Sequence, residues 1–206
     1  MRIFILCCAL TLFAVEATAR EEGVMLIYKF ADPIKSQQSD SVSLQVENTN
    51  AYYQKVVKVD STIKISQIYL RALQFMAGKN FTQTYGYDQE GKLIFTTTQD
   101  LNVNPVNITE DNDVEQYTTQ FSIIIDMKNG RYRYTINNVV FFIPAQSGNR
   151  RLTLYDVYQK MTNKDSRRIA RDARNVITSF ERYITALTNE LHDDIEHKSL
   201  IHNSKF

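Results

Sequence analysis

Between Phe121 and Ile143, apolar and polar residues alternate on both sides of Asn129-Gly130. A two-residue loop of that composition favours a type I′ turn, because both central residues need positive φ. The turn predicts antiparallel pairs Lys128 with Arg131, Met127 with Tyr132, Asp126 with Arg133, Ile125 with Tyr134, Ile124 with Thr135 and Ile123 with Ile136. One face then carries Ile123, Ile125, Met127, Tyr132, Tyr134 and Ile136, and must be buried. The other carries Ser122, Asp126, Lys128, Arg131, Arg133 and Thr135, with Ile124 alone apolar, and is expected to face water. Asp126 opposite Arg133 predicts a cross-strand ion pair that helps register by a few tenths of a kcal/mol, roughly the value for surface pairs.

The remaining periodicities place this hairpin in an α+β frame. Val24 to Phe30 is a short apolar run, and Val42, Leu44 and Val46 alternate, so residues 20–50 read as an arm or as edge strands. Ala51 to Asp60 reads as a strand with Tyr53, Val57 and Val59 on one side. Asp60-Ser61-Thr62 then turns the chain into a helix from about Lys64 to Ala77, with Ile65, Ile68, Tyr69, Ala72, Leu73, Phe75 and Met76 at helical spacing. Gly78 is the expected left-handed residue after it. Phe81–Tyr87 and Lys92–Thr98 flank a four-residue turn and form a second hairpin, while Asp100 to Glu115 reads as a polar loop. The order β-α-β-β-β-β implies an antiparallel sheet with one helix packed on it.

Beyond Pro144 the pattern turns helical. Leu152–Met161 is a short amphipathic helix, and a long one runs from about Arg167 to Glu196. Its stripe of Ile169, Ala173, Val176, Phe180, Ile184, Leu187, Leu191 and Ile195 makes a narrow seam. Such a seam requires a partner surface, either this domain's sheet or a second copy of the helix. The charges run against the macrodipole: Lys164, Arg167, Arg168, Arg171 and Arg174 open the helix, and Glu190, Asp193, Asp194 and Glu196 close it. That unfavourable order implies compensation by another element, and it leaves a basic cluster that anionic lipid headgroups would suit.

Composition adds a compartment. Arg2, the apolar stretch Ile3–Val15 and Ala17-Thr18-Ala19 have the form of a signal peptide, so residues 1–19 are expected to be removed and the protein to be secreted or periplasmic. Both cysteines, Cys7 and Cys8, lie in that leader, which leaves neither disulfide nor thiolate in the exported chain. The net charge of +1 gives no reason to expect nucleic acid as a partner. The resulting division is leader 1–19, arm or edge strands 20–50, sheet domain 51–143, helical segment 144–199 and tail 200–206.

Candidate chemistry is sparse. Asp100-Leu101-Asn102-Val103-Asn104 starts like a calcium loop, but Pro105 stands where the sharp turn needs glycine. His192, His197 and His202 are spaced five apart and read as surface residues on a fraying tail. No nucleophile elbow, paired-histidine zinc motif or phosphate-binding glycine loop is present, and no metal or cofactor is expected.

Residues 51–143 resemble a known family. The segment VVKVDSTIKISQIYLRALQFMA (56–77), the strand start at Gly91-Lys92 and DMKNGRYRYTINNV (126–139) are similar to the domain of unknown function numbered 4468, described as having a TBP-like fold. The region before residue 50 and the stretch 100–115 depart from that pattern. The resemblance implies the fold and a bacterial envelope setting, and it supplies no activity. The expectation is therefore a non-enzymatic binding or interaction module. Its C-terminal helix would cover the sheet, or join a second copy or an envelope partner through Ile169, Val176, Phe180, Ile184, Leu187 and Leu191. The alternative is an apolar-ligand or lipid site near Tyr132 and Tyr134 on an open sheet face, with a hydrolase a distant third.

Overall fold

The structure, a computed structural model, describes residues 42–106, 114–145 and 148–197. The expected leader, the run Val24–Phe30, His202 and the tail lie outside these residues. The strands are β1 (Leu44–Glu47), β2 (Asn50–Lys58), β3 (Thr82–Tyr87), β4 (Lys92–Val106), β5 (Val114–Lys128), β6 (Arg131–Ile143) and β7 (Arg150–Thr153). The helices are α1 (Ile65–Gly78), α2 (Leu154–Thr162) and α3 (Arg167–His197). All seven strands form one sheet in the order β1-β2-β6-β5-β4-β3, with β7 also paired to β6.

The central hairpin has the predicted register, from Lys128 opposite Arg131 to Ile123 opposite Ile136. Its Asn129-Gly130 turn is not the expected type I′: Gly130 is at φ 70°, but Asn129 does not take the positive φ that this type requires of both central residues. Ile123, Ile125, Met127, Tyr132, Tyr134 and Ile136 are all buried beneath the helices. Further along, the ladder slips by one: Ser122 pairs with Asn137, but Gln120 pairs with Val140. The extra residue is Asn138, at φ 53°, a left-handed conformation that asparagine tolerates better than most residues. Across this β-bulge the inward set of β6 changes from 132, 134 and 136 to Val139, Phe141 and Ile143, all buried.

Three expectations are corrected here. The stretch from Asp100 is not a loop: β4 runs to Val106 and β5 starts at Val114, pairing Asp100 with Thr118 and Leu101 with Tyr117. Asp100 accepts a hydrogen bond from Thr118 Oγ1 at 2.6 Å, so its carboxylate belongs to the ladder. The left-handed residue after α1 is Asn80 (φ 61°), with Gly78 still helical. Asn80 N–H donates to Ala77 O at 3.1 Å and Phe81 N–H to Met76 O at 3.0 Å, the paired bonds of a Schellman cap. The water-facing side of the hairpin is also drier than alternation predicts: Ile124, Arg133 and Thr135 are only 8%, 6% and 2% exposed. They sit mid-sheet on strands paired along both edges. Arg133 Nη2 reaches Asp126 Oδ2 at 2.8 Å, and Thr135 Oγ1 accepts from Gln54 Nε2 at 2.9 Å.

The seam of α3 lies on this chain's own sheet, which selects between the two surfaces left open by the pattern. Val176, Phe180, Ile184, Leu187 and Leu191 are buried, and Ile169 is half-buried. Phe180 stacks edge-on against Phe121 and Phe141 and tilts against Tyr53, with ring centroids 5.4, 5.7 and 5.8 Å away. The reversed helix charges are compensated within the same chain. Arg171 pairs with the buried Asp172 at 2.9 Å. At the other end Lys79 pairs with Glu190, Arg71 donates to Ile195 O, and Glu196 Oε1 accepts from Asp60 N–H at 3.0 Å. Arg71 within α1 and Lys79 just after it therefore meet the C-terminal part of α3.

Candidate functional site

The contacts made by α1, α2 and α3 fall on one face of the sheet, where Tyr53, Phe95, Tyr117, Phe121 and Phe141 are buried. None of the three covers the opposite face. On that face Thr96 lies beside Ser122, Thr98 beside Gln120 and Asp100 beside Thr118, a set of hydroxyls, one amide and one carboxylate flanked by the apolar Ile94, Ile124, Val140 and Phe142.

A cleft of about 470 Å³ opens where the edge of β6 changes partner. β2 pairs with Arg131–Ile136, and β7 pairs with Val140–Ile143 along the same edge. Between them the bulged stretch 137–139 faces neither strand. The start of β2 (Asn50, Ala51) and the end of β7 (Arg151, Thr153) therefore stand apart as two walls, with Asn138, Val139 and Val140 below them. Gln120, Ser122 and Thr96 extend the cleft across β5 and β4, and Leu154 and Tyr155 close it at the start of α2. The volume lies within the range of about 300–1,000 Å³ for small-molecule sites. Beside the floor, Asn137 Oδ1 is buried with no hydrogen-bond partner among the described residues.

A capping box occupies the N-terminus of α2. Thr153 Oγ1 accepts from Asp156 N–H at 3.1 Å, and Asp156 Oδ2 accepts from Thr153 N–H at 2.8 Å, a reciprocal capping box.

Residues 53–142 match a family model described as a domain of unknown function (DUF4468) with TBP-like fold. Two solved structures share this chain's architecture. A TBP-like protein from Parabacteroides distasonis ATCC 8503 superposes with TM-score 0.60 at 12% identity, covering 75% of this chain and 98% of that one. A DUF4468 family protein from Bacteroides ovatus ATCC 8483 gives TM-score 0.51 at 10% identity, covering 74% and 87% respectively. At these identities the likeness shows the fold. No curated protein matched.

Within the matched segment Tyr132 and Tyr134 do not line an open face. They are 0% and 2% exposed beneath α3, because the register that buries Ile123 and Ile125 buries them too. Burial drives the Tyr132 phenol far above its ordinary range, and burial also raises Tyr134, opposed by a hydrogen bond with Thr188. Burial pushes Tyr117 and Tyr183 up to about 12, with a hydrogen bond to Ser179 opposing the shift at Tyr117 and the charge of Glu190 adding to it at Tyr183. A folded-state pKa raised above the unfolded value means that the folded protein holds these protons longer. Stability is then fully present below the ordinary phenol pKa of about 10 and is lost as pH rises beyond it. Absorbance titration is expected to show one group of tyrosines ionising near the ordinary value and a second ionising only together with loss of near-ultraviolet circular dichroism. A single early transition for all of them would contradict the burial of Tyr132 and Tyr134.

The basic cluster is split rather than convergent. Arg168 and Arg171 turn to Asp172, at 4.0 and 2.9 Å. Arg174 instead borders a groove formed with Leu44, Val46, Tyr158 and Met161. Arg167 is exposed. His192 and His197 are part of α3 and not of a fraying tail. The cleft residues escape sequence reading as a set because they come from five separate segments joined only by the strand order. The doubled run Asn137-Asn138-Val139-Val140-Phe141-Phe142, which breaks strict alternation, is the one signal that marks the bulge.

Proposed function

We propose that this protein is a non-enzymatic binding module, exported to the cell envelope, whose ligand seats in the cleft at the β6 bulge. The observation that carries this reading is the one-sided placement of the helices, which leaves a helix-free sheet face with a cleft in it. The lining favours a polar ligand over a lipid, since hydroxyl and amide groups line its rim. It also favours binding over catalysis: the lining has one guanidinium and one phenol but no carboxylate or imidazole to act as general base. The leader expected at residues 1–19 supports export.

Gln120 is exposed within the cleft, so Gln120→Trp fills the space at little cost to folding. Native mass spectrometry of the protein purified from its host is expected to show a small-molecule adduct that the Gln120→Trp protein lacks. Equal retention by both proteins would remove the cleft as the site.

A further inference from the structure

We infer that the cleft takes a polyhydroxylated ligand carrying a single carboxylate, an acidic sugar unit; this rests on reading the cleft as the ligand site. Thr96 and Ser122 each offer a hydroxyl, and Asn50, Gln120 and Asn138 each offer an amide. Every one of these groups both donates and accepts, which matches the alternating donors and acceptors of sugar hydroxyls. Ala51 in the wall, Val139 in the floor and Leu154 at the closed end give the cleft an apolar lining suited to the C–H face of a sugar ring.

Charge sets the remaining requirement. Arg151 is exposed and is the one ionised side chain in the lining, and a guanidinium fork matches a carboxylate in two parallel hydrogen bonds. Phosphate would normally be drawn to the helix N-terminus beside it. Here the first turn of α2 already carries the Asp156 carboxylate, hydrogen-bonded by Thr153 N–H and Oγ1 at 2.8 and 2.7 Å. A doubly charged phosphate would face that carboxylate with one arginine to balance it. A singly charged sugar acid needs no more than the one arginine.

The test is a ¹H–¹⁵N titration of the chain without its leader, using methyl β-glucuronoside, methyl β-glucoside and inorganic phosphate. The glucuronoside is expected to shift the amides of Asn50, Ala51 and Asn138–Val140. It is expected to bind at least about tenfold more tightly than the glucoside, the scale of one charge-assisted pair. Phosphate should leave those amides in place. Arg151→Ala should abolish the preference for the acid and Arg151→Lys restore part of it, each in a spectrum that otherwise reports the intact fold. Equal affinity for the two sugars, or phosphate moving the same amides as strongly, would overturn the acidic-sugar assignment and leave the cleft as a site. Silence toward both sugars also overturns it. The host-purified Gln120→Trp comparison then decides separately whether the cleft reading falls as well.

Discussion

Replacing Phe180 with alanine is expected to destabilise the domain by about 3–5 kcal/mol, the cost of removing a fully buried phenylalanine. Phe180 is completely buried, and its ring touches Tyr53 on β2, Phe121 on β5 and Phe141 on β6. No neighbour can collapse into the space without leaving its own packing, because three strands of one sheet fix the surrounding rings. The urea midpoint should fall with an unchanged slope, which marks lost stability rather than a changed unfolded state. Leu70→Ala is the control, since Leu70 is exposed on α1 and should shift the midpoint little. Protein concentration supplies the second arm. A loss independent of concentration is what packing within one chain requires, whereas a loss that grows on dilution would place the α3 seam between copies.

The local features of the fold were legible where one principle acted alone. The Asn129-Gly130 turn set the register of β5 and β6, and the apolar stripes located α1 and α3 to within a residue or two. Partner choice was not legible. The α3 seam is equally consistent with a sheet and with a second helix, because both present an apolar strip of similar width. The polar stretch after Asp100 read as loop because acidic residues and asparagines dominate it, Pro105 interrupts it and it lacks periodicity; strand pairing there is imposed by β5, whose Tyr117 reaches the core. β7 is four residues long and carries two arginines, so no periodicity could reveal it. The cleft exists because β7 and β2 share one edge of β6 without meeting, and that is a fact of topology alone.

The second large effect is expected at the hairpin's Arg133. On a wet face the Asp126–Arg133 pair would contribute under about 1 kcal/mol, as exposed pairs do. In the folded sheet the two side chains are 7% and 16% exposed, and their 2.8 Å contact lies between paired strands. Removing one partner leaves the other charge poorly solvated, so Arg133→Ala is expected to cost about 3 kcal/mol, the low end of the range for breaking a buried pair. The low end applies because Asp126 keeps some contact with water. Removing both charges relieves that penalty: Asp126→Asn combined with Arg133→Met should recover at least half of the loss, since nothing unpaired remains. A double-mutant cycle measured by urea unfolding separates the two cases. A coupling below 1 kcal/mol would mean that the pair merely favours register. A coupling of several times that would make it a buried polar contact in the middle of the sheet, and the helix-free face would then owe part of its rigidity to Arg133.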